Sequence, residues 1–427
     1  MVRYNRRMNA IVVVIDRLHI GYLGCYGNTW VATPELNRLA GESFTMDHAI
    51  IDSPSLDELY SSYWTGSHVF QRRQAWPAGR CGLPDALGKA GISTTLISDD
   101  PLVSEHPLAT GFGERISVEP PLARDAMIAP DVDQTHLAGY FAVAAEWLSK
   151  ARGPFCLWLH TQGLAAAWDA PLEFRNQYAD PDEAPPPTLV DVPSRLLPDE
   201  FDPDVRFGIC QAYAGQVTLL DTCVSGLLAE LDESPLHRDT LMALVSPRGL
   251  PLGEHRRIGV GDEAIYNELI HVPWLLRLPD GSGAAARSQA LVQPADLPAT
   301  LCDWWSVAPF FPSGAGRNLL PLVRDEVETI RDRACVAAPS SEQGIRTAGW
   351  YLRRSVAKSS TDEGPDDAGA ELYVKPDDFW ELNDVADRCR DVVGALSRGL
   401  NDFRSAAESG TIESLPPLDE SLIEAAG

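Results

Sequence analysis

The chain has 427 residues, of which 44% are hydrophobic and 22% are charged. This length excludes a single small module. Global disorder is also excluded, because a chain of this length and apolar content can bury a large apolar core. With 61 acidic against 35 basic residues, the formal net charge is −26, which argues against nucleic acids and anionic membrane surfaces as partners.

Strands and helices are predicted to alternate along most of the chain. Short apolar runs that each end at a polar residue predict buried, parallel strands, at residues 11–15, 94–97, 155–159 and 241–245. Helical spacing of apolar residues predicts helices at 34–41, 83–90, 134–151 and about 203–231. This alternation indicates an α/β layer architecture.

Polar side chains follow the predicted strands directly. Asp16, Ser98, His160 and Ser246 each stand at or just beyond the end of an apolar run. Ligands of α/β sheets bind outside the carboxyl ends of the strands, so we expect any functional site to lie among these four residues.

Three segments interrupt the pattern. Residues 180–204 are rich in proline and acids and predict an exposed loop, and the break at 358–369 is polar and flexible in composition. The runs 346–352 and 371–374 predict antiparallel strands of a smaller sheet. Residues 408–427 have no strong amphipathic pattern, which predicts a loosely attached acidic tail.

The fold prediction is a large mixed, mainly parallel sheet flanked by helices, with a smaller carboxyl-terminal subdomain built on an antiparallel sheet. The corresponding boundaries are an α/β domain at 9–325, an α+β subdomain at 326–407 and the tail at 408–427.

The cysteines and the apolar runs bear on location. Eight cysteines are present without a C-x-x-C pair, a pattern typical of scattered, reduced, mostly buried thiols rather than of a zinc or redox motif. The apolar run 10–15 is too short for a signal-peptide core, and no stretch approaches the ~18–20 apolar residues of a membrane span. We therefore expect a cytoplasmic location.

An ordered series of motifs resembles the sulfatase family of the alkaline-phosphatase superfamily. The motifs are LGCYGN at 23–28, TPELNRLA at 33–40, SPS at 53–55, LWLHTQG at 157–163, LGEH at 252–255, HVPWLLRLP at 271–279 and GRNLLPL at 316–322. One such motif would be a weak signal, whereas this many in family order is a specific one.

The resemblance implies a nucleophile that this chain lacks. In an active sulfatase, the first residue of C/S-x-P-S-R is oxidised to formylglycine, whose hydrate attacks sulfate, and the arginine supports it. The matching stretch here runs from Asp52 to Leu56. A carboxylate at Asp52 cannot become an aldehyde, and the apolar Leu56 stands in place of the cation.

The resemblance also implies a divalent cation, usually calcium, which needs hard oxygen ligands. The family takes two acids from the end of the first strand and two ligands from a later S-D-H/N-G element. Here these positions are Asp16-Arg17 and Ser246-Pro247-Arg248-Gly249. Only Asp16 of the four ligands is retained, so we predict neither a metal nor another cofactor.

The family's substrate-binding lysine and histidine positions are also replaced. They fall within 98–100, near Ala165 and near Asp262, where no lysine or histidine stands. His160 could act as an acid or base, although a lone histidine at a strand end is more often a hydrogen-bonded core residue. His255 belongs to the LGEH motif and is assigned no role.

Charge arithmetic predicts what replaces the cation. Two acids and two arginines cancel, and a guanidinium offers forked donors that suit carboxylates. We therefore expect Arg248, or alternatively Arg17, to occupy the cation position and to pair with Asp16 and Asp52.

Three functions remain open at this stage. The first is a catalytically inactive, sulfatase-like protein with a binding or assembly role, whose partner is an unknown protein or a small anionic ligand. The alternative is a sulfuric or phosphoric ester hydrolase with a rearranged site, which recruits Asp52 or His160 and holds a cation through Asp16, Asp99 and Asp100. The third is a binder of anionic sugars through Arg17, Arg248, Arg256 and Arg257.

Overall fold

The computed structural model describes residues 8–73, 81–119, 127–180, 185–261, 264–310, 314–355 and 369–423. Within these ranges the chain forms two compact units. The first comprises the described residues of 1–45, 87–261 and 272–287, and the second those of 46–86, 262–271 and 288–427. The domains predicted from the sequence, 9–325, 326–407 and 408–427, are continuous segments, whereas each unit combines several segments of the chain. The predicted boundaries stay a prediction.

The strands, in chain order, are β1 Asn9–Ile15, β2 Phe44–Ile50, β3 Ser93–Ser98, β4 Glu114–Ser117, β5 Phe155–Thr161, β6 Ser194–Leu196, β7 Thr240–Val245, β8 Arg257–Gly259, β9 His271–Val272, β10 Trp274–Arg277, β11 Arg287–Val292, β12 Ala334–Ala337, β13 Glu342–Arg346, β14 Trp350–Ser355 and β15 Glu371–Val374.

The helices, in chain order, are α1 Pro34–Gly41, α2 Leu56–Thr65, α3 Leu83–Lys89, α4 Pro101–Ser104, α5 His136–Lys150, α6 Leu172–Asn176, α7 Pro203–Glu233, α8 Asn267–Ile270, α9 Asp296–Trp304, α10 Leu320–Val323, α11 Arg390–Ser409 and α12 Glu420–Ile423.

The large sheet has the strand order β11-β2-β10-β7-β1-β5-β3-β4, and β9 pairs with β2. β1 runs parallel to both β5 and β7, and β3 runs parallel to both β4 and β5. β10 is antiparallel to β7, so the sheet is mixed but mainly parallel, as predicted. β1, β5 and β7 are buried along their whole length and mostly apolar, as expected for strands that are covered on both faces.

Helices α5 and α7 pack beside this sheet in the first unit's core. α7 begins where the Asp202 side chain accepts a hydrogen bond from the amide of Asp204, with Pro203 in the first turn. An acceptor and a proline at these two positions favour helix initiation. The predicted helices at 34–41, 83–90, 134–151 and 203–231 are confirmed to within two residues at each end.

The smaller sheet, in the second unit, is antiparallel with the order β12-β13-β14-β15. α11 covers it with buried side chains three to four residues apart, including Leu396, Leu400 and Phe403. The prediction of one strand at 346–352 was wrong. β13 ends at Arg346 and β14 begins at Trp350, because the Thr347 hydroxyl accepts from the Trp350 amide and closes a turn.

The prediction of a loosely attached tail was also wrong for its described part. Ile412 and Leu422 are buried in the second unit's core. The amide of Leu418 donates to Asp332 over 2.6 Å, and Gly349 donates to the carbonyl of Ile423 over 2.6 Å. Residues 424–427 lie outside the described residues.

The proline-rich loop is more regular than predicted. Within 180–204, β6 pairs with β8, and the Arg175 guanidinium donates to the carbonyl of Pro187 over 2.6 Å. Residues 181–184 lie outside the described residues, as do residues 358–368 of the second predicted break.

The cysteines form no disulfide bonds. All eight cysteines are free thiols, of which Cys156, Cys223, Cys302 and Cys335 are buried and the others partly exposed. Among the described residues, no helix combines the length and the apolar character that crossing a membrane requires.

Candidate functional site

The strand register brings the predicted edge residues together in the first unit. Val14 of β1 and Ser98 of β3 both stand opposite His160 of β5. The amide of Asp16 donates to the carbonyl of Thr161 over 3.1 Å. Ser246 directly follows β7, which also pairs with β1, so the predicted grouping of Asp16, Ser98, His160 and Ser246 at one edge is confirmed.

Asp16 is paired with Arg248 at this edge. Nε of Arg248 lies 3.0 Å from Oδ1 of Asp16, and Nη2 lies 2.9 Å from Oδ2, which is a forked, two-oxygen contact. The Asp16 side chain is 1% exposed and that of Arg248 is 12% exposed. Burial raises the pKa of Asp16, but Arg248 and Arg17 lower it more, so the net pKa lies below the ordinary value. Asp16 therefore stays ionised through its own arginine.

A short turn aims Arg248 at Asp16. The hydroxyl of Ser246 donates to the carbonyl of Arg248 over 2.8 Å and accepts from the amide of Leu18 over 3.3 Å. The turn also contains the buried Pro247, which offers no side-chain oxygen. Ser246 is thereby committed to holding the loop after β7 against the loop after β1.

Arg17 is fully buried and has a left-handed backbone, with φ at +63°. Its guanidinium donates to the carbonyls of Gly249 over 3.2 Å and Val260 over 3.0 Å. The hydroxyl of Tyr213 donates to the carbonyl of Arg17 over 2.7 Å and accepts from the amide of His19 over 2.8 Å. The two arginines thus differ: Arg248 makes the forked contact with the carboxylate, and Arg17 binds backbone.

The acids after β3 have partners of their own. Oδ2 of Asp99 accepts from Nε2 of His136 over 2.7 Å and from Thr161 over 2.8 Å, while Oδ1 accepts from the amide of Gln162 over 2.7 Å. Asp100 caps α4 through the amide of Leu102. Three donors on one carboxylate leave it poorly suited to ligate a cation.

Two histidines at this edge face acids. Nε2 of the fully buried His160 lies 3.6 Å from Oδ2 of Asp100. Nε2 of the equally buried His19 lies 3.7 Å from Oε1 of Glu254, and its Nδ1 accepts from the amide of Gly21. Burial lowers the pKa of His19 to about 4, so this imidazole is neutral at pH 7.

The described side chains at this edge do not fit a divalent cation. Among the described residues, no three His, Cys, Asp or Glu side chains are grouped to hold a metal ion. The one retained family ligand, Asp16, is already engaged by a guanidinium, and a second cation beside Arg248 would meet a positive charge.

The family's nucleophile position lies in the second unit. Oδ2 of Asp52 accepts from the hydroxyl of Ser62 over 2.5 Å and from the amide of Val69 over 2.9 Å. Its Oδ1 is buried without a hydrogen-bond partner in the part of the chain that the structure describes. Leu56 is 4% exposed and begins α2. The predicted pairing of Arg248 with Asp52 stays a prediction.

The remaining predicted positions have ordinary structural surroundings. Trp168 is fully buried in the first unit's core, and Ala165 ends a 3-10 turn. The guanidinium of Arg256 pairs with Asp199 and donates to the carbonyl of Leu197. His255 is partly buried. The position near Asp262 lies outside the described residues.

The residues that sequence reasoning missed are His19, His136, Tyr213 and Glu254. Their partners stand between 37 and 235 positions away along the chain. Only Glu254, inside the LGEH motif, carried any sequence signal.

A protein-family model matches most of the chain. The family model described as Sulfatase matches residues 8–307. The chain belongs to the sulfatase family. Among curated relatives, iduronate 2-sulfatase of Homo sapiens is 24% identical over 341 residues, which cover 64% of this chain and 60% of the relative. The chain thus spans less than two thirds of that relative's length.

Other relatives extend the likeness. Iduronate 2-sulfatase of Mus musculus is 24% identical over 88% of this chain and 80% of its own length. Among solved structures, a phosphonate monoester hydrolase of Agrobacterium radiobacter has a TM-score of 0.76 at 18% identity, covering 94% of this chain and 96% of that one. A protein solved with its substrate D-glucosamine-2-N,6-O-disulfate has a TM-score of 0.74 at 17% identity, covering 95% and 99%. At these identities the structural matches establish a shared fold.

Proposed function

We propose that this sulfatase-family chain is catalytically inactive and serves a binding or assembly role. The observation that carries the proposal is the forked contact between Arg248 and Asp16. A guanidinium fixed on the one retained ligand supplies positive charge without an open coordination position. It therefore cannot polarise an ester oxygen as a Lewis-acidic cation would.

The surroundings of Asp52 support the same proposal. A carboxylate nucleophile must reach its substrate, whereas Asp52 is 1% exposed and accepts from Ser62 and Val69. These bonds connect the end of β2 with α2 and the turn that follows it. We interpret Asp52 as a structural acceptor in the place of a nucleophile.

The anionic-sugar hypothesis is weakened by the contacts of three of its four arginines, Arg257 being the fourth. Arg248 binds Asp16, Arg17 binds two carbonyls, and Arg256 binds Asp199 and Leu197. An anion would have to displace these contacts. A cytoplasmic location and a small anionic ligand or unidentified protein as partner remain predictions.

A turnover assay tests the proposal against the rearranged hydrolase. The purified chain is incubated with aryl sulfates and aryl phosphates, each with EDTA, calcium, manganese or zinc. We expect no metal-stimulated release of the aryl alcohol. Turnover that is stimulated by a metal and abolished by Asp52→Ala would establish the hydrolase instead. Asp57→Ala, a change to an exposed acid in the first turn of the following helix α2, is the matched control.

Calcium titration supplies a second test that does not depend on the choice of substrate. Only a ligand bound by the folded state raises the melting temperature. We therefore expect equal melting temperatures in millimolar calcium and in EDTA. A calcium-dependent rise that Asp16→Asn removes would overturn the interpretation of the Asp16–Arg248 contact as a replacement for the cation.

A further inference from the structure

β6 and β8 form a small ribbon on the first unit with an exposed outer strand. Ser194, Arg195 and Leu196 stand opposite Gly259, Ile258 and Arg257. All three residues of β6 are exposed, and Leu196 is 64% exposed. This ribbon is not part of the site at the carboxyl ends of β1, β3, β5 and β7, the strand-end site, which contains Asp16, His160 and Ser246.

The hydrogen-bond pattern shows which groups of β6 face outward. The amide of Leu197 donates to the carbonyl of Arg256, and hydrogen-bonded pairs alternate along an antiparallel ladder. Arg195 therefore faces β8, whereas the backbone groups of Ser194 and Leu196 face away from it. β8 obeys the same alternation, because Gly259 and Arg257 bond outward to residues 251 and 253.

The outer edge of β6 remains open. Within the described ranges, the backbone N–H and C=O groups of Ser194 and Leu196 have no protein partner. Such groups are a template for an added strand. Many proteins cover their edges, whereas this one presents two donor and acceptor pairs beside a cavity.

The cavity lies on the face to which Pro193 and Arg195 contribute. It has a volume of about 610 Å³, and apolar side chains dominate its lining, among them Pro185, Pro187 and Phe207. Phe207 is 41% exposed and stacks on Trp30, which is 39% exposed, with ring centroids 5.9 Å apart. Side chains of an added strand alternate between faces, so every second one would enter this cavity.

The acidic residues around the cavity favour a basic partner. Residues 185–211 contain five acids and two arginines. Asp204 lines the cavity in the first turn of α7 and has no ion-pair partner among the described residues. A lysine or arginine on the added strand would complement Asp204, and the net charge of −26 would attract a basic partner from solution.

We propose that the open edge of β6 and the adjoining cavity form a docking site for an extended basic peptide. The peptide adds a strand to β6 and places alternate apolar or aromatic side chains against Phe207 and the proline wall. The backbone bonds supply affinity and the cavity supplies side-chain preference. The proposal holds whether or not the strand-end site is catalytic.

Fluorescence anisotropy with labelled heptapeptides tests the docking site. The first probe alternates lysine with phenylalanine and valine, the second carries glutamate in place of lysine, and the third is the lysine peptide with methylated central backbone amides. We expect saturable binding of the first probe at physiological salt. Binding of the other two should be at least tenfold weaker, because one lacks the charge match and the other lacks the ladder donors.

Two variants of β6 separate strand addition from general attraction by an acidic surface. Leu196→Pro removes an outward N–H but no bond to β8, since proline is tolerated on edge strands. Leu196→Ala removes only the side chain. We expect Leu196→Pro to weaken binding of the lysine peptide at least tenfold, and Leu196→Ala to change it less than threefold.

Three results would overturn the proposal: no saturable binding, binding that Leu196→Pro leaves unchanged, or binding that is equal for the methylated peptide. Sedimentation velocity adds a fourth. A dimer that Leu196→Pro dissociates would assign the edge to a second copy of this chain. Circular dichroism of both variants verifies that each one folds.

Discussion

The polar groups of the strand-end site have partners within the protein, whereas the outward-facing groups of the proposed docking site at β6 and its adjoining cavity have none among the described residues. At the strand ends, Asp16 is held by Arg248, Asp99 by His136, and His19 lies against Glu254. In β6, the backbone N–H and C=O groups of Ser194 and Leu196 face away from β8. In the adjoining cavity, Asp204 has no basic partner among the described residues. The polar side chains at the strand ends thus contact one another, whereas the proposed docking site leaves backbone groups of β6 without a protein partner among the described residues.

The difference has a physical basis in solvation. A carboxylate without water needs a counter-charge or several donors, and it costs several kcal/mol when it has neither. The buried carboxylate of Asp16 therefore requires a counter-charge, which Arg248 provides. The residues of β6 and Asp204 are exposed, so water can satisfy their polar groups in place of a protein partner.

The largest effect is expected from breaking the Asp16–Arg248 contact. Arg248→Ala leaves a buried carboxylate without its guanidinium and should lower the free energy of unfolding by about 3–5 kcal/mol. Arg38→Ala is the matched control, because Arg38 also contacts acids but its side chain is 37% exposed. It should cost no more than about 1 kcal/mol. Urea denaturation measures both, and equal losses would contradict the contrast between the two regions.

A smaller effect is expected from pH at the strand ends. The pKa of His19 falls from 6.5 to about 4 on burial, so between these values the unfolded chain binds the extra proton. Stability is therefore full above pH 6.5 and is lost as the pH falls. Between pH 7 and pH 5, His19 should account for a loss of about 2 kcal/mol.

His19→Asn tests this assignment. Asparagine retains an acceptor for the amide of Gly21 at a helix start but does not titrate. Urea unfolding at pH 7 and pH 5 should show a shallower pH dependence for the variant. Identical slopes for variant and parent would assign the acid sensitivity to other groups.

The smallest effect on stability is expected from a substitution in the cavity that adjoins β6. Phe207→Ala removes a side chain that is 41% exposed, and surface changes of this kind cost little, about 1 kcal/mol or less. Thermal unfolding should detect almost no change, whereas the lysine peptide should bind more weakly. A large loss of stability would mean that Phe207 belongs to the core rather than to a binding surface.

Much of the fold was predictable because its signals are local. The apolar runs of β1, β5 and β7 end within two residues of the predicted positions, since strands buried on both faces are continuously apolar. The turn between β13 and β14 was missed because Thr347 and Trp350 set it through a side-chain contact. The docked tail was missed because Ile412, Leu418 and Leu422 are too sparse to form a helical pattern.

Less of the site was predictable. The pairing of Asp16 with an arginine was predicted from charge balance and guanidinium geometry at the family's cation position. Motif order identified Asp52 and Leu56 as replaced family positions. Charge balance could not identify His136 as the partner of Asp99, because that contact depends on how α5 lies against β3. The open edge of β6 could not be predicted either, since the composition of residues 180–204 indicated only an exposed loop.

The Asp16–Arg248 contact also has a kinetic consequence. It joins positions 232 residues apart in the sequence, so it forms only after β7 has aligned with β1. Contacts that form late in folding slow the escape from the native state more than they accelerate its formation. This ion pair should therefore lengthen the lifetime of the folded chain while leaving its rate of folding almost unchanged.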